Sequence, residues 1–346
     1  MRIQQNDECG FSLVELMVAM VISLILIGAA GTTYITSKKS YNHQEDLGRI
    51  QENARFALEF IKYDIRMAGY YGCADDPSSV TNHVNGGSGT LFDTSNSLRG
   101  INNATAVSTW SPDSGALGVS DIRLGTDAIT ISYLGSGEIT ISTPYMPQKS
   151  AALHTAAGNA LKQGDIVAVT DCYSTDIFQI SNANPDSSGT VDHNTGGSTS
   201  PGNATKPLSK TYEGDAFIRA YRAVRYYIRS DAGGGPALMR QSLTNTAGSV
   251  AAAAEELVEG IEDMQILYGE DTSGSSEPDI YRDAGSVVDW DRVRSVRISL
   301  LSSSINEYGL EKDTQTYTLL DTTFDDSSDE RRRRRVFTTT VLARNL

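Results

Sequence analysis

The chain has 346 residues, enough for one large or two modest domains with an ample core. Its net charge of −14 excludes a general affinity for DNA phosphates or anionic lipid headgroups, because the summed field repels both and leaves room only for a local basic patch. Hydrophobic residues at 39%, charged residues at 21% and 31 glycines describe an ordinary polar surface with many turns.

The first element is an apolar run from Phe11 to Gly31, broken by a single acid, Glu15. Its roughly 21 residues, rising about 1.5 Å each, span about 30 Å, the thickness of a bilayer core, and predict a transmembrane helix. A carboxylate in such a helix costs roughly 2.5 to 3.5 kcal/mol on insertion scales, so Glu15 calls for a partner. A secretory signal competes for this segment, with the small residues Ala29 and Ala30 beside a cut site. Against it, the leader carries only Arg2 against Asp7 and Glu8, and the run is longer than a secretory core. Lys38 and Lys39 lie beyond the run, so charge alone leaves the topology ambiguous.

Leu47, Ile50, Ala54, Ala57, Leu58, Ile61, Ile65 and Ala68 then recur at spacings of three and four, an apolar stripe along a helix. No proline interrupts residues 11 to 76, so the pattern predicts one long helix that stops near Gly69 and packs its second half on its own domain.

Gly10-Phe11-Ser12-Leu13-Val14-Glu15 resembles the processing motif of type IV prepilins and type II secretion pseudopilins. The resemblance implies cleavage after Gly10 by a prepilin peptidase and methylation of the new amino terminus at Phe11. It also implies that Glu15 pairs with the amino terminus of a neighbouring subunit, setting axial register more than adding stability. The implied organisation is a leader at 1–10, a transmembrane and assembly helix at 11–31, its amphipathic second half at 32–69, and a periplasmic or extracellular headgroup at 70–346. Loss of the leader removes Cys9 and leaves Cys73 and Cys172. In an exported domain these form either a disulfide closing about 100 residues, worth roughly 4 to 5 kcal/mol in the chain-entropy model, or two unrelated buried thiols.

Beyond the helix, residues 126–133, 138–142, 164–173, 217–228, 261–268, 293–301 and 336–343 are rich in β-branched and aromatic side chains. They predict an antiparallel sheet against the helical stripe, an α+β fold. Residues 77–120 and 181–210, dense in Gly, Ser, Asn, Asp and Thr, read as exposed loops, the second partly disordered. Four further stretches look like those of a PilW-type minor pilin: Arg66 to Cys73, Leu257 to Gly269, Trp290 with Val293 to Leu301, and Arg335 to Asn345. That family implies a pilin-like fold and a subunit of the type IV pilus, a fimbrium serving adhesion and twitching motility. The protein is then anchored once in the inner membrane and afterwards displayed at the cell surface. It primes assembly in a tip complex with other minor pilins, the major pilin and a tip adhesin. A J-type pseudopilin of a type II secretion system is the alternative machine, and a secreted binding or enzymatic domain with an ordinary signal peptide is the alternative class.

The five arginines Arg331 to Arg335 suggest nucleic acid, but Asp325, Asp326, Asp329 and Glu330 precede them and alternation along a strand splits them between two faces. A charged edge entering the last strand is the expectation, with no nucleic-acid partner. Asn182 to Asp186 and the acidic stretch Glu270 to Asp283 offer oxygen ligands without the spacing of a calcium loop, so solvated turns are expected. His43, His83, His154 and His193 form no catalytic or metal motif. The expectation is a protein with no enzymatic activity, metal or cofactor.

Overall fold

A computed structural model of the chain describes residues 12–73, 77–86, 91, 97–104, 121–230, 235–305, 312–325 and 331–346. The cleavage pair Gly10 and Phe11, parts of the 77–120 loop, and Asp326, Asp329 and Glu330 lie outside these. The fold is α+β and pilin-like: a long N-terminal helix and a mostly antiparallel β headgroup.

The helix, α1, runs unbroken over Leu13–Met67, 55 residues. Two compact units divide within it, Met1–Arg49 and Ile50–Leu346. In the first unit the helix exposes its apolar side chains, from Leu13 at 77% to Ile27 at 68%. In the second, Ile50, Ala54, Ala57, Leu58, Ile61, Ile65 and Ala68 are all buried, as their spacing predicts. The helix ends at Met67, two residues before Gly69. Gly69 has a φ of 75°, and a Cβ there would collide with the Asn345 carbonyl oxygen, so the stop needs glycine twice over.

Along the chain follow β1 (Val80–Asn82), β2 (Leu98–Ile101), β3 (Ala128–Leu134), β4 (Ile139–Thr140), β5 (Leu153–His154), β6 (Ile166–Thr170) and β7 (Thr175–Gln179). A short helix, α2 (Pro185–Ser188), precedes β8 (Thr190–Val191), then the long strands β9 (Phe217–Arg229), β10 (Ala237–Thr246), β11 (Ser249–Glu259) and β12 (Ile261–Glu270). The rest are β13 (Ile280–Arg282), β14 (Val293–Ser303), β15 (Thr316–Leu319), β16 (Thr322–Asp325) and β17 (Arg334–Leu342).

Where the sequence suggests one sheet, the described residues form two large ones and two small two-stranded ones, the β15–β16 hairpin and the pair β5–β8. The nine-stranded sheet has the order β1-β7-β6-β9-β10-β11, with β3 and β4 also on β9 and β2 on β3. The four-stranded sheet is β13-β12-β14-β17. β1 and β7 are parallel, while the other strand pairs within these two sheets are antiparallel. Both sheets converge on α1: Ala57, Leu58, Ile61 and Ile65 share a core with Ile131 and Tyr226 of the larger sheet and Ile266, Ile298 and Val341 of the smaller. Gly100 on β2 lets the sheets meet, since a Cβ there would strike the fully buried Tyr268 hydroxyl on β12.

Residues 181–210 correct the expectation of disorder. They carry α2 and β8 and are tied down by side chains. Asn203 receives the Gln179 backbone N–H at 2.7 Å and donates back to the Gln179 carbonyl at 2.7 Å, while Asn182 donates to the Thr190 carbonyl at 2.7 Å. A second core, with Val167, Val169, Phe178, Val191, Tyr212 and Ile218, supports them. Polar composition argued for a solvated loop, yet these amides bond to the backbone they fold against.

Candidate functional site

Ser12 and Glu15 open α1. The Ser12 hydroxyl accepts the Val14 N–H at 3.2 Å, and Glu15 Oε2 accepts the Ser12 N–H at 2.9 Å. This reciprocal pair is a capping box, satisfying backbone donors that the first helical turn leaves free. The S-x-x-E spacing that announces it was legible in the sequence, and the role of Ser12 was missed. Glu15 Oε1 bonds to none of the described residues, so the cap and a second partner for the carboxylate are compatible. Beyond it, Leu16, Met17, Met20, Leu24 and Ile25 are exposed, over a stretch long and apolar enough to cross a membrane. Its hydroxyls turn inward: Ser23 donates to the Ala19 carbonyl at 2.7 Å, and Thr32 and Thr33 to the Ala29 carbonyl at 2.8 and 2.9 Å. No unsatisfied O–H is then offered to an apolar surrounding by these residues.

In the headgroup, the buried Asp64 of α1 accepts from the Tyr133 hydroxyl at 2.7 Å and the Tyr226 hydroxyl at 2.5 Å. Burial raises its pKa, partly offset by those two donors. The bonds lock the helix to β3 and β9. Cys73 and Cys172 are joined by a disulfide with Cα atoms 4.5 Å apart, linking the segment after α1 to the β6–β7 turn.

Two histidines expected in loops are buried fixtures. His83 bridges Asp176 at 2.6 Å and the Thr205 hydroxyl at 2.7 Å. His193 faces the Ala151 and Lys206 carbonyls at 2.9 and 2.7 Å, and burial lowers its pKa. Asp176, fully buried, also accepts from the Ser209 N–H, the Ser209 hydroxyl and the Tyr212 hydroxyl at 2.6 Å. Among the described residues the polar contacts of His83 and Asp176 are internal to the fold, which makes the cluster a clamp that holds the loop after β1 and the β8–β9 connection to β7. The arginine run opens β17, as a charged edge should. Arg334 is buried against Glu262 at 2.5 Å and Asp313 at 3.1 Å. In the acidic turn, Asp271 accepts the Gly274, Ser275 and Ser276 N–H groups at 2.6 to 3.1 Å, and Asp279 those of Thr272 and Ser273. These carboxylates serve the backbone.

The two sheets also meet at a pair of buried acids. Asp127, just before β3, accepts the Asn103 N–H at 2.8 Å and the Ile266 N–H at 2.7 Å. Burial, reinforced by the nearby Asp263 and Asp321 charges, pushes it up to about 7 against those two donors, and burial pushes Asp263 up to about 6. With native pKa values above those of the unfolded chain, the folded state holds more protons between about pH 4 and 7, so stability falls as pH rises through that window and is lowest above it. Urea unfolding at pH 5 and pH 8 should differ by on the order of 3 kcal/mol for this linkage. Asp127→Asn should flatten the profile; an unchanged slope would remove Asp127 as its cause.

A membrane-length helix, opened by an acid that caps it, thus runs into a β headgroup. Two family models match stretches of the chain: one, described as Prokaryotic N-terminal methylation motif, matches residues 5–31. A second, described as Type IV Pilus-assembly protein W (PilW), matches residues 225–345, from within β9 through the whole four-stranded sheet. Over these two stretches the chain has the features of a PilW-type prepilin-like protein. No curated protein and no solved structure matches it.

Proposed function

We propose that the chain is a minor subunit of the type IV pilus. A prepilin peptidase cuts after Gly10, Phe11 becomes the methylated first residue, and Glu15 pairs with the amino terminus of an adjacent subunit. The observation that carries this reading is the joining of an N-terminal methylation motif to a helix that exposes apolar side chains from Leu13 to Ile27. Such a helix is stable in lipid, and it keeps its apolar surroundings when neighbouring helices replace the lipid in a fibre. The Cys73–Cys172 bond fits a headgroup on the oxidising, periplasmic side of the inner membrane and then at the cell surface.

The headgroup is large for bulk polymerisation, which favours a tip position, where the protein primes assembly with other minor pilins, the major pilin and a tip adhesin. No catalytic role is assigned. Mass spectrometry of the mature N-terminus should find methylated Phe11; a start near Gly31 would overturn the reading in favour of an ordinary secreted protein. Deletion of the gene should reduce surface piliation, and unchanged piliation would remove the priming role.

A further inference from the structure

We propose that the groove between α1 and β17 receives an extended, acidic segment of a partner protein, which pairs with β17 as a fifth strand of the smaller sheet. β17 ends that sheet: it pairs with β14 from Arg334↔Ser303 to Leu342↔Ser295, and no strand among the described residues pairs with its other edge. An edge strand leaves alternate N–H and C=O groups free, and folds commonly blunt such edges with prolines, bulges or very short strands. β17 is nine residues long, contains no proline and keeps an even register along β14. Leu342 on it is 62% exposed. The β15–β16 hairpin meets β17 at Arg334, whose guanidinium lies 5.8 Å from the Phe324 ring, and Arg334 and the groove residue Arg335 are strand neighbours that point to opposite faces.

The groove has a volume of about 320 Å³ and is lined by Arg55, Leu58, Glu59 and Lys62 of α1 and by Arg335 and Phe337 of β17. Lys62 is paired with Glu59 at 2.9 Å. Arg55 and Arg335 form no close ion pair among the described residues, although Lys62 and Arg55 both act on the Glu59 carboxylate and hold its pKa down, and Arg335 lies over the Phe337 ring at 5.4 Å. In a chain of net charge −14, two guanidiniums facing a groove with an apolar floor are a local inversion of sign. They fit carboxylates at one end of a strand whose other end meets the neutral positions Thr339 and Val341. A nucleic-acid backbone would need cations along the whole edge, and β17 supplies none after Arg335. Strand pairing provides the affinity and the arginines provide the choice of partner.

The test uses the full-length protein in detergent and a seven-residue probe peptide, acetyl-Glu-Asp-Val-Thr-Val-Thr-Val-amide. Hydrogen exchange should show new protection at the amides of residues 336–342 when it binds. Replacing its two acids by lysines, or N-methylating alternate backbone amides, should weaken binding at least tenfold, as should the double variant Arg55→Glu, Arg335→Glu. Both arginines are exposed at the groove, and the protection of α1 and β14 in the free variant checks that it is folded. Binding that ignores the charge of the peptide, protection that avoids β17, or tighter binding of a single-stranded oligonucleotide at the same amides would each overturn the proposal.

Discussion

Glu15→Ala is expected to be cut after Gly10 like the parent and to fail to enter the filament, with at least tenfold less of it in sheared pili. Two effects add in this variant. It removes one arm of the capping box, a loss of about 1 kcal/mol. It also removes the carboxylate proposed to meet the amino terminus of a neighbour, and unpairing an ion pair in an apolar bundle costs roughly 3 to 5 kcal/mol. Glu15→Gln separates the two, because glutamine can still accept the Ser12 N–H but carries no charge. Exclusion of both variants from the fibre supports the charge pairing. Normal incorporation of Glu15→Gln would leave capping as the function of Glu15, and the idea of inter-subunit pairing would fall.

Asp176→Ala should be the most damaging single change in the headgroup. Burial alone would raise the Asp176 pKa, but hydrogen bonds from His83, Ser209 and Tyr212 outweigh it and hold the carboxyl below the usual carboxylate range. A group whose pKa is lowered by folding stabilises above its unfolded pKa, and that contribution disappears as pH falls through the folded value. Alanine would strand the His83 ring and the Ser209 and Tyr212 donors without an acceptor, at a cost of roughly 3 to 5 kcal/mol. Denaturant unfolding at pH 7 measures the loss, and hydrogen exchange should place the earliest opening at residues 203–212. A cost under about 1 kcal/mol would mean the clamp is ornamental, as exposed pairs commonly are.

The helix was readable in the sequence because its signals are local. Apolar residues at helical spacing from Leu47 to Ala68, an apolar run before them and no proline suffice, and the buried face in the structure is the same set from Ile50 onward. The strands rich in valine, isoleucine and tyrosine, β3, β9, β12, β14 and β17, were legible for the same reason. β11 was not, because Ala251 to Ala254 carry no β signal and rely on pairing with β10 for their conformation. β7 hid behind Asp176, a charge that argues against a buried strand until its donors at residues 83, 209 and 212 are brought beside it by the fold. Two sheets in place of one follow from such long-range choices, which no window of sequence contains. The groove beside β17 depends in the same way on residues 55 and 335, far apart in the chain.

The disulfide has a mechanical meaning. Tension arriving along α1 is borne first by its buried stripe against both sheets, and what passes Gly69 along the backbone is handed by Cys73 directly to Cys172. A pull resisted near the C-terminus then bypasses the intervening chain, whose 99-residue separation would otherwise pay out roughly 330 Å of slack if it unravelled. The load reaches the long strands from β9 onward without stretching the loops and short strands that lie between the two cysteines.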